Sequence, residues 1–163
     1  LKDRLIVLDG WSKTYAMTGW RLGWSYWPEE CIEHIVKLLI NSVSCVNAPT
    51  QYAGTAALDG PDDSINFMMK EFTERRNLIH KLLNELPGVE CSLPGGAFYA
   101  FPKVKNTGMS GAEFAKKCMY EAGVAVVPGT AFGSTAKDYV RFSFAASQDD
   151  ISQALENIKN MLK

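Results

Sequence analysis

The sequence lacks the basic excess, the histidines and the long apolar runs that are typical of nucleic-acid-binding, zinc-binding and membrane proteins. It has 17 lysines and arginines against 18 acids, a net charge of −1, so it lacks the basic excess of a nucleic-acid-binding domain. It has only 2 histidines, which argues against a zinc site of ordinary ligand spacing. No apolar run reaches the roughly 18 residues that a membrane span requires. We therefore expect no nucleic-acid partner, no metal and no membrane insertion.

The sequence also lacks closely paired cysteines and a secretion signal. Its 4 cysteines are far apart and none forms a Cys-x-x-Cys pair; they are Cys31, Cys45, Cys91 and Cys118. Their apolar surroundings predict buried, free thiols. No signal-peptide pattern opens the chain, so we expect a cytoplasmic protein. The apolar fraction of 47% and charged fraction of 21% are typical of a folded globular protein.

The most informative stretch is GWSKTYAMTGWRLG, residues 10–23. Lys13 follows an apolar run, RLIVL, and Arg21 lies eight residues later, behind Gly19. A lone lysine or arginine is usually a solvated surface residue. A lysine amine can, however, form a Schiff base with an aldehyde, and the donors of an arginine suit a phosphate. Together the two residues could hold one anionic, carbonyl-bearing molecule, and pyridoxal phosphate carries both groups on one ring.

This stretch resembles the pyridoxal-phosphate attachment signature of class-I aminotransferases. That signature has small residues three before and directly before the lysine, then an apolar residue, a small residue and an arginine after it. In this chain those positions hold Gly10, Ser12, Met17, Gly19 and Arg21. The resemblance implies the cofactor pyridoxal 5'-phosphate, with Lys13 as the catalytic Schiff-base lysine and Arg21 and Ser12 as cofactor-binding residues. Some relatives have a phosphate-binding serine where this chain has Gly10.

The pattern before residue 62 predicts α/β structure. Residues 4–8 are typical of a buried strand in a parallel sheet, with Lys13 in the loop beyond its end. Residues 22–27 predict the next strand, and the short connection favours antiparallel, hairpin-like pairing with the first. A helix is then predicted from Pro28. Its apolar residues recur at helical spacing and predict one buried face, made of Ile32, Ile35, Val36 and Leu39.

The rest of the chain predicts a long helix followed by α+β structure. The helix covers residues 62–86 and ends at Pro87-Gly88. Short strands are predicted at 89–93, 97–101, 124–127 and 139–145, and helices after the capping residues Ser110 and Ser147. With the resemblance, we expect the end of a pyridoxal-phosphate transferase large domain, with a mostly parallel sheet, plus a smaller C-terminal α+β domain. The expected divisions are 1–61, 62–86 for a connecting helix, and 87–163.

The strand predicted at 139–145 carries a third candidate cation. Val140, Phe142 and Phe144 alternate with Arg141 and Ser143, so the arginine is predicted on the face away from the core. The pattern alone favours a solvated arginine. The resemblance implies instead a ligand for the substrate α-carboxylate, because the family carries such an arginine after a P-G-x-x-F-G loop, here 128–133. A second family-like segment, PGGAFYAFP at 94–102, implies that Phe98 or Tyr99 lies near the substrate.

The resemblance implies an aminotransferase that moves an amino group between an amino acid and a 2-oxo acid, of the aspartate, aromatic or alanine type. It implies a homodimer at full length. Members run to roughly twice this length or more, and their aspartate partner of the pyridine nitrogen, with a tyrosine and an asparagine, precedes the lysine. None of the three is identifiable here. We therefore expect a fragment lacking its N-terminal half, inactive by itself.

Two alternatives share the same resemblance. One is a carbon–sulfur lyase or cyclising enzyme of the same fold, which would release ammonia and a thiol with the keto acid, whereas a transaminase makes a new amino acid. The other is an aminotransferase-like sensor domain of a transcription regulator, which would accompany a DNA-binding helix-turn-helix. The intact SKTYAMTGWR form resembles the aminotransferase branch more than the lyases.

Overall fold

The computed structural model describes residues 1–163 as two compact units, Leu1–Phe67 (unit 1) and Met68–Lys163 (unit 2). Helices and short strands alternate along both. No helix combines the length and the apolar composition needed to cross a membrane. The domain limits expected at residues 61 and 86 remain predictions.

Unit 1 contains a two-stranded antiparallel hairpin. Strand β1 (Val7–Gly10) pairs with β2 (Gly23–Tyr26), with Val7 opposite Tyr26 and Gly10 opposite Gly23, which confirms the expected antiparallel pairing. The predicted strand at 4–8 is displaced, because Lys2–Arg4 forms a 3₁₀ turn. Its predicted burial is wrong, since the Leu8 side chain is 73% exposed. Within these residues β1 has β2 as its one neighbour, with no parallel strand.

Three helices complete unit 1: α1 (Trp11–Thr14), α2 (Glu29–Ser42) and α3 (Ala48–Asp59). Pro28 precedes α2 as predicted, and two acids lie in its first turn. The predicted buried face of α2 is wrong: Ile32 and Val36 are each 48% exposed and Leu39 is 46% exposed. Helical spacing of apolar residues shows that a helix has an apolar face but not what covers that face.

Helix α4 (Asp63–Asn84) runs across the division between the units and ends two residues before the predicted limit. The strand predicted at 89–93 is absent apart from an isolated bridge between Glu90 and Lys103. At Cys91 a side chain, that of Asn84, bonds the backbone groups that a neighbouring strand would otherwise bond. Asn84 Nδ2 donates to the Cys91 carbonyl and Asn84 Oδ1 accepts from the Cys91 N–H, both at 2.9 Å. Cys91 thus has both backbone groups satisfied without a neighbouring strand.

The sheet of unit 2 has three short antiparallel strands. They are β3 (Tyr99–Ala100), β4 (Val127–Pro128) and β5 (Val140–Ser143), in the order β3-β5-β4. Each is shorter than predicted, but the alternation of β5 is confirmed, with Val140 and Phe142 buried and Ser143 exposed. The central strand therefore presents Arg141 on the face opposite the core.

Helices α5 (Gly111–Lys117) and α6 (Gln148–Met161) begin at their predicted caps. Ser110 Oγ accepts from the Glu113 N–H while the Glu113 carboxylate accepts from the Ser110 N–H, which confirms the capping box. Ser147 Oγ accepts from the Asp150 N–H at 3.0 Å. Both helices contribute to one buried core in unit 2, whose fully covered side chains include Ile79, Leu83, Phe114, Cys118, Phe144 and Ile158.

All four cysteines are free, but they differ in burial. Cys91 and Cys118 are buried as predicted, whereas the prediction is wrong for Cys45, which is exposed in the loop between α2 and α3. Burial raises the pKa of the Cys91 thiol, and it raises the pKa of Cys118 to about 12.

Thiol labelling of the 163-residue chain is expected to follow this order. Because the thiolate is the reacting species, a pKa of about 12 lowers the reactive fraction of Cys118 about 10³-fold at pH 8 relative to an ordinary thiol. Maleimide at pH 8 should modify Cys45 within minutes and leave Cys118 unmodified, as read by peptide mass spectrometry. In guanidinium both should react. Equal labelling of Cys45 and Cys118 without denaturant would contradict the described core.

Candidate active site

Ser12, Lys13 and Arg21 line one cavity of about 330 Å³ in unit 1. Ser12 and Lys13 lie on α1, directly after β1, and Arg21 lies just before β2. Because β1 and β2 pair with Gly10 opposite Gly23, the end of one strand adjoins the start of the other. The hairpin thus brings the three predicted residues to one place. Lys13 sits in a single helical turn and not in the loop that the sequence predicts.

The floor of this cavity depends on a close approach of two backbones. A Cβ atom on Gly10 would lie 2.9 Å from the Leu22 carbonyl oxygen and 3.3 Å from the Gly23 Cα. The Trp11 N–H donates to the same Leu22 oxygen at 3.2 Å. A serine at residue 10, the residue type that some family members carry, would require the strands to separate. Residue 10 therefore offers no side-chain donor to this cavity.

Helix α1 is fixed to α3 by a tryptophan. Trp11 Nε1 donates to the Gly54 carbonyl at 3.1 Å. Gly54 is buried, and a Cβ atom there would collide with Leu22 Cδ2. The contact holds the turn that carries Lys13. Sequence reasoning missed this pair, although the small-residue composition of the α3 region was a signal for close packing.

Arg21 has an unusual backbone and an oriented side chain. Its φ of 55° and ψ of 45° place it in the left-handed region, which few non-glycine residues adopt. Arg21 Nη1 donates to the Thr18 carbonyl at 3.1 Å, which leaves further N–H groups of the guanidinium for a ligand. This bond orients the exposed Arg21 side chain, which lines the cavity.

The cavity's donors and charges fit a phosphate and an aldehyde. Lys13 supplies an amine, Arg21 a guanidinium and Ser12 a hydroxyl, and the one acid in the lining is Asp9. Asp9 Oδ1 accepts from the Gly10 N–H at 2.7 Å, so one of its two carboxylate oxygens already has a backbone donor. The lining carries two cations against one anion. These residues fit pyridoxal 5'-phosphate, with the amine for its aldehyde and the other two groups for its phosphate.

Arg141 lies in unit 2 between two aromatic rings. Its guanidinium carbon is 4.2 Å from the ring centre of Tyr99 and 4.6 Å from that of Phe132. None of the chain's ion pairs includes Arg141. The side chain is half-buried and has no internal anion, so its hydrogen-bond donors are available to an external carboxylate.

Phe98 occupies a different position from its neighbour Tyr99. The Phe98 ring stacks on Phe72 at 6.0 Å and packs against the core of unit 2. The Tyr99 ring lies 4.6 Å from it and faces Arg141. A role of Phe98 in substrate binding remains a prediction.

Comparison with known proteins finds relatives that match nearly the whole chain. The chain is 40% identical over 163 residues to the aromatic-amino-acid aminotransferase 2 of Thermococcus litoralis and to an aspartate aminotransferase of Pyrococcus abyssi, covering 99% of this chain and 42% of each relative. The solved structure of an aromatic aminotransferase from Pyrococcus horikoshii superposes with a TM-score of 0.94 at 40% identity, over 98% of this chain and 43% of that one. The chain therefore spans less than half the length of these relatives, and the likeness confirms the α/β fold class.

The family itself follows from a match along nearly the whole chain. The sequence profile described as aminotransferase class I and II covers residues 2–158. Lys13, Arg21 and Arg141 all lie inside that match. The chain belongs to the class I and II aminotransferases, a pyridoxal-phosphate-dependent family.

Proposed function

We propose that the complete gene product is an aminotransferase that uses pyridoxal 5'-phosphate to move an amino group between an amino acid and a 2-oxo acid. The observation that carries this proposal is the shared cavity of Ser12, Lys13 and Arg21. The relatives support it, since those of 40% identity include proteins named aspartate and aromatic-amino-acid aminotransferases. Aspartate, alanine and aromatic amino acids are accordingly the first substrates to assay, each with 2-oxoglutarate.

In this mechanism the chain's residues bind the cofactor and move one proton. When bound, the cofactor supplies an aldehyde that condenses with amines and a ring that withdraws electrons from the substrate Cα. Lys13 would hold the aldehyde end, and Arg21 and Ser12 would hold the phosphate. The substrate amine would displace the Lys13 amine from the aldehyde carbon. The Lys13 amine released in this way would take the proton from the substrate Cα as a general base and return it as a general acid. Arg141 binds the substrate α-carboxylate through paired N–H groups.

The direct test is to trap the cofactor on the complete gene product. Borohydride reduction after incubation with pyridoxal 5'-phosphate, followed by digestion and mass spectrometry, should place one adduct on Lys13. Lys13→Arg is the matched control and should give none. An adduct at other lysines, or none in the wild type, would count against the proposal. The 163-residue chain alone should show no turnover. Measurable transamination by it would overturn the expectation that the fragment is inactive, not the aminotransferase proposal.

The product assay separates transamination from elimination. A transaminase converts 2-oxoglutarate to glutamate, whereas a carbon–sulfur lyase releases ammonia and a thiol from a sulfur amino acid. We expect glutamate. The similar solved structures include enzymes named alanine and aspartate aminotransferases, which supports this choice. Release of ammonia and a thiol without formation of glutamate would favour the carbon–sulfur lyase hypothesis.

We further propose that the complete gene product is a cytoplasmic homodimer. The resemblance to the family supports this proposal. Sedimentation equilibrium should give twice the monomer mass. A single-chain mass at micromolar concentration would refute the dimer, and a fluorescent fusion found outside the cytoplasm would refute the location.

Replacing Arg141 by lysine tests the carboxylate site. Lysine keeps the charge but loses the paired donors, so kcat/KM for the complete gene product should fall about 10- to 100-fold, mainly through KM. Steady-state kinetics with aspartate and 2-oxoglutarate measure this. Arg76→Lys is the matched control, because Arg76 bonds only to Asn77, and it should leave both constants unchanged. An unaltered KM in Arg141→Lys would remove Arg141 from the site.

A further inference from the structure

The way Arg141 is held suggests a role for residues that do not themselves bind the carboxylate. Arg141 lies on the central strand β5, and Tyr99 on β3 is directly opposite Ser143. Ser143 and Arg141 are two residues apart and share a face, so Tyr99 is the diagonal neighbour of Arg141 on that face. The sheet register thus places the Tyr99 ring against the guanidinium at 4.2 Å.

A loop supplies the second ring. Phe132 lies in the segment 129–132 that follows β4, and its ring centre is 4.6 Å from the Arg141 guanidinium carbon. The loop has little freedom. The Gly129 N–H donates to the Tyr139 carbonyl at 2.8 Å, and a Cβ atom on Gly129 would collide with the Ala136 carbonyl oxygen. Gly133, with φ of 145°, ends the turn in a conformation that side chains disfavour.

Each ring is supported from behind by another ring. Phe98 backs Tyr99 at 4.6 Å and itself stacks on Phe72. Phe101 meets Phe132 edge-on at 5.9 Å and stacks on Tyr139 at 5.3 Å. Tyr99 and Phe132 therefore each have an aromatic contact besides the one with Arg141. Phe132 is nevertheless 50% exposed, so its ring is held from one side.

A guanidinium covered by rings keeps its hydrogen-bond donors at the edge. Stacking uses the flat face of the group, whereas its N–H bonds lie in the plane and point outward. No acid of the chain pairs with Arg141. The contacts that position its guanidinium are therefore those with the Tyr99 and Phe132 rings. A fixed plane favours a carboxylate that accepts two parallel N–H bonds, since less side-chain freedom is lost on binding.

We propose that Tyr99 and Phe132 are positioning residues that hold the Arg141 guanidinium between their rings and so set its affinity for a ligand carboxylate. This inference rests on the proposed function, in which Arg141 binds the substrate. Neither ring touches the reacting atoms in this scheme. Their effect reaches catalysis through Arg141 alone, and it acts on binding more than on turnover.

The experiment compares ring-removing and ring-keeping variants of the complete gene product. Tyr99→Leu and Phe132→Leu remove a ring, whereas Tyr99→Phe and Phe132→Tyr keep it. Calorimetric titration with propionate, a plain monocarboxylate, measures carboxylate affinity without turnover. Each leucine variant should raise the propionate Kd about three- to tenfold and raise KM for both substrates by a similar factor, with kcat within about twofold. The ring-keeping variants should bind propionate as the wild type does.

Three results would overturn the proposal. One is unchanged propionate affinity in both leucine variants. A second is an equal loss in Tyr99→Phe and Tyr99→Leu, which would assign the effect to the hydroxyl. A third is a fall in kcat with no change in KM. Thermal unfolding checks each variant, and Tyr99→Met and Phe132→Met replace any leucine variant that does not fold.

The same data distinguish failure of this inference from failure of the proposed function. A wild-type protein that binds propionate in a ring-dependent way but makes no glutamate would sustain the positioning role and reject transamination. A protein that makes glutamate but whose propionate affinity is the same with and without either ring would support transamination and reject the positioning role.

Discussion

Replacement of Lys13 by alanine is expected to lower kcat for transamination by the complete gene product by at least about 10⁴-fold, the upper range for loss of a general acid–base. Lys13 is the one lysine in the lining of its cavity. Alanine would therefore remove both the amine that holds the cofactor and the base that moves the Cα proton. A coupled assay of glutamate formation measures the change.

Two variants control this experiment. Lys13→Arg keeps the positive charge but offers no amine for an aldehyde, so it should lose as much activity as alanine does. Lys37→Ala removes a lysine whose side chain is 72% exposed and pairs with Glu33 on the surface of α2, and it should retain wild-type kcat. A Lys13→Ala enzyme within tenfold of the wild type would exclude Lys13 as the central base.

Replacement of Phe114 by alanine is expected to destabilise unit 2 by about 3–5 kcal/mol. Phe114 is fully buried on α5, and its ring belongs to the unit 2 core with Cys118 and Phe144. Alanine would leave a cavity that the surrounding backbone fills only in part. A loss of this size is a large share of the roughly 5–15 kcal/mol that stabilises a typical domain.

Hydrogen exchange can measure this loss in unit 2 directly. All 4 tryptophans lie in unit 1, so their fluorescence does not report the core around Phe114. Peptides from β5 and α6 should exchange much faster in Phe114→Ala than in the wild type. Phe67→Ala is the matched control, because Phe67 is 67% exposed and its loss should cost about 0.5 kcal/mol or less. Equal exchange in the two variants would contradict the core assignment.

The features that sequence predicted correctly depend on short stretches of chain. Ser110 and Ser147 cap helices because a hydroxyl reaches an N–H three residues ahead, which the sequence shows directly. The alternation of Val140, Arg141 and Phe142 likewise depends only on the pleat of one strand. Lys13 and Arg21 share a cavity because a short connection joins two paired strands.

The features that sequence missed depend on distant partners. Apolar spacing in α2 predicts an apolar face, but no local signal says whether another segment covers it, and Val36 is 48% exposed. The run 89–93 predicts a strand, yet the Asn84 side chain bonds both backbone groups of Cys91. Likewise, the contact of Tyr99 and Phe132 with Arg141 requires the sheet register, which propensities do not supply.

The core of unit 2 has a consequence for how the protein is made on the ribosome. That core joins Ile79 and Leu83 of α4 to Ile151, Leu155 and Ile158 of α6. Synthesis proceeds from the N-terminus, so Phe114 and Phe144 emerge before α6 can cover them. A product that stalls ahead of α6 would expose these rings and become a target for chaperones and proteases. The core of unit 2 is therefore expected to close only when α6 has been synthesised.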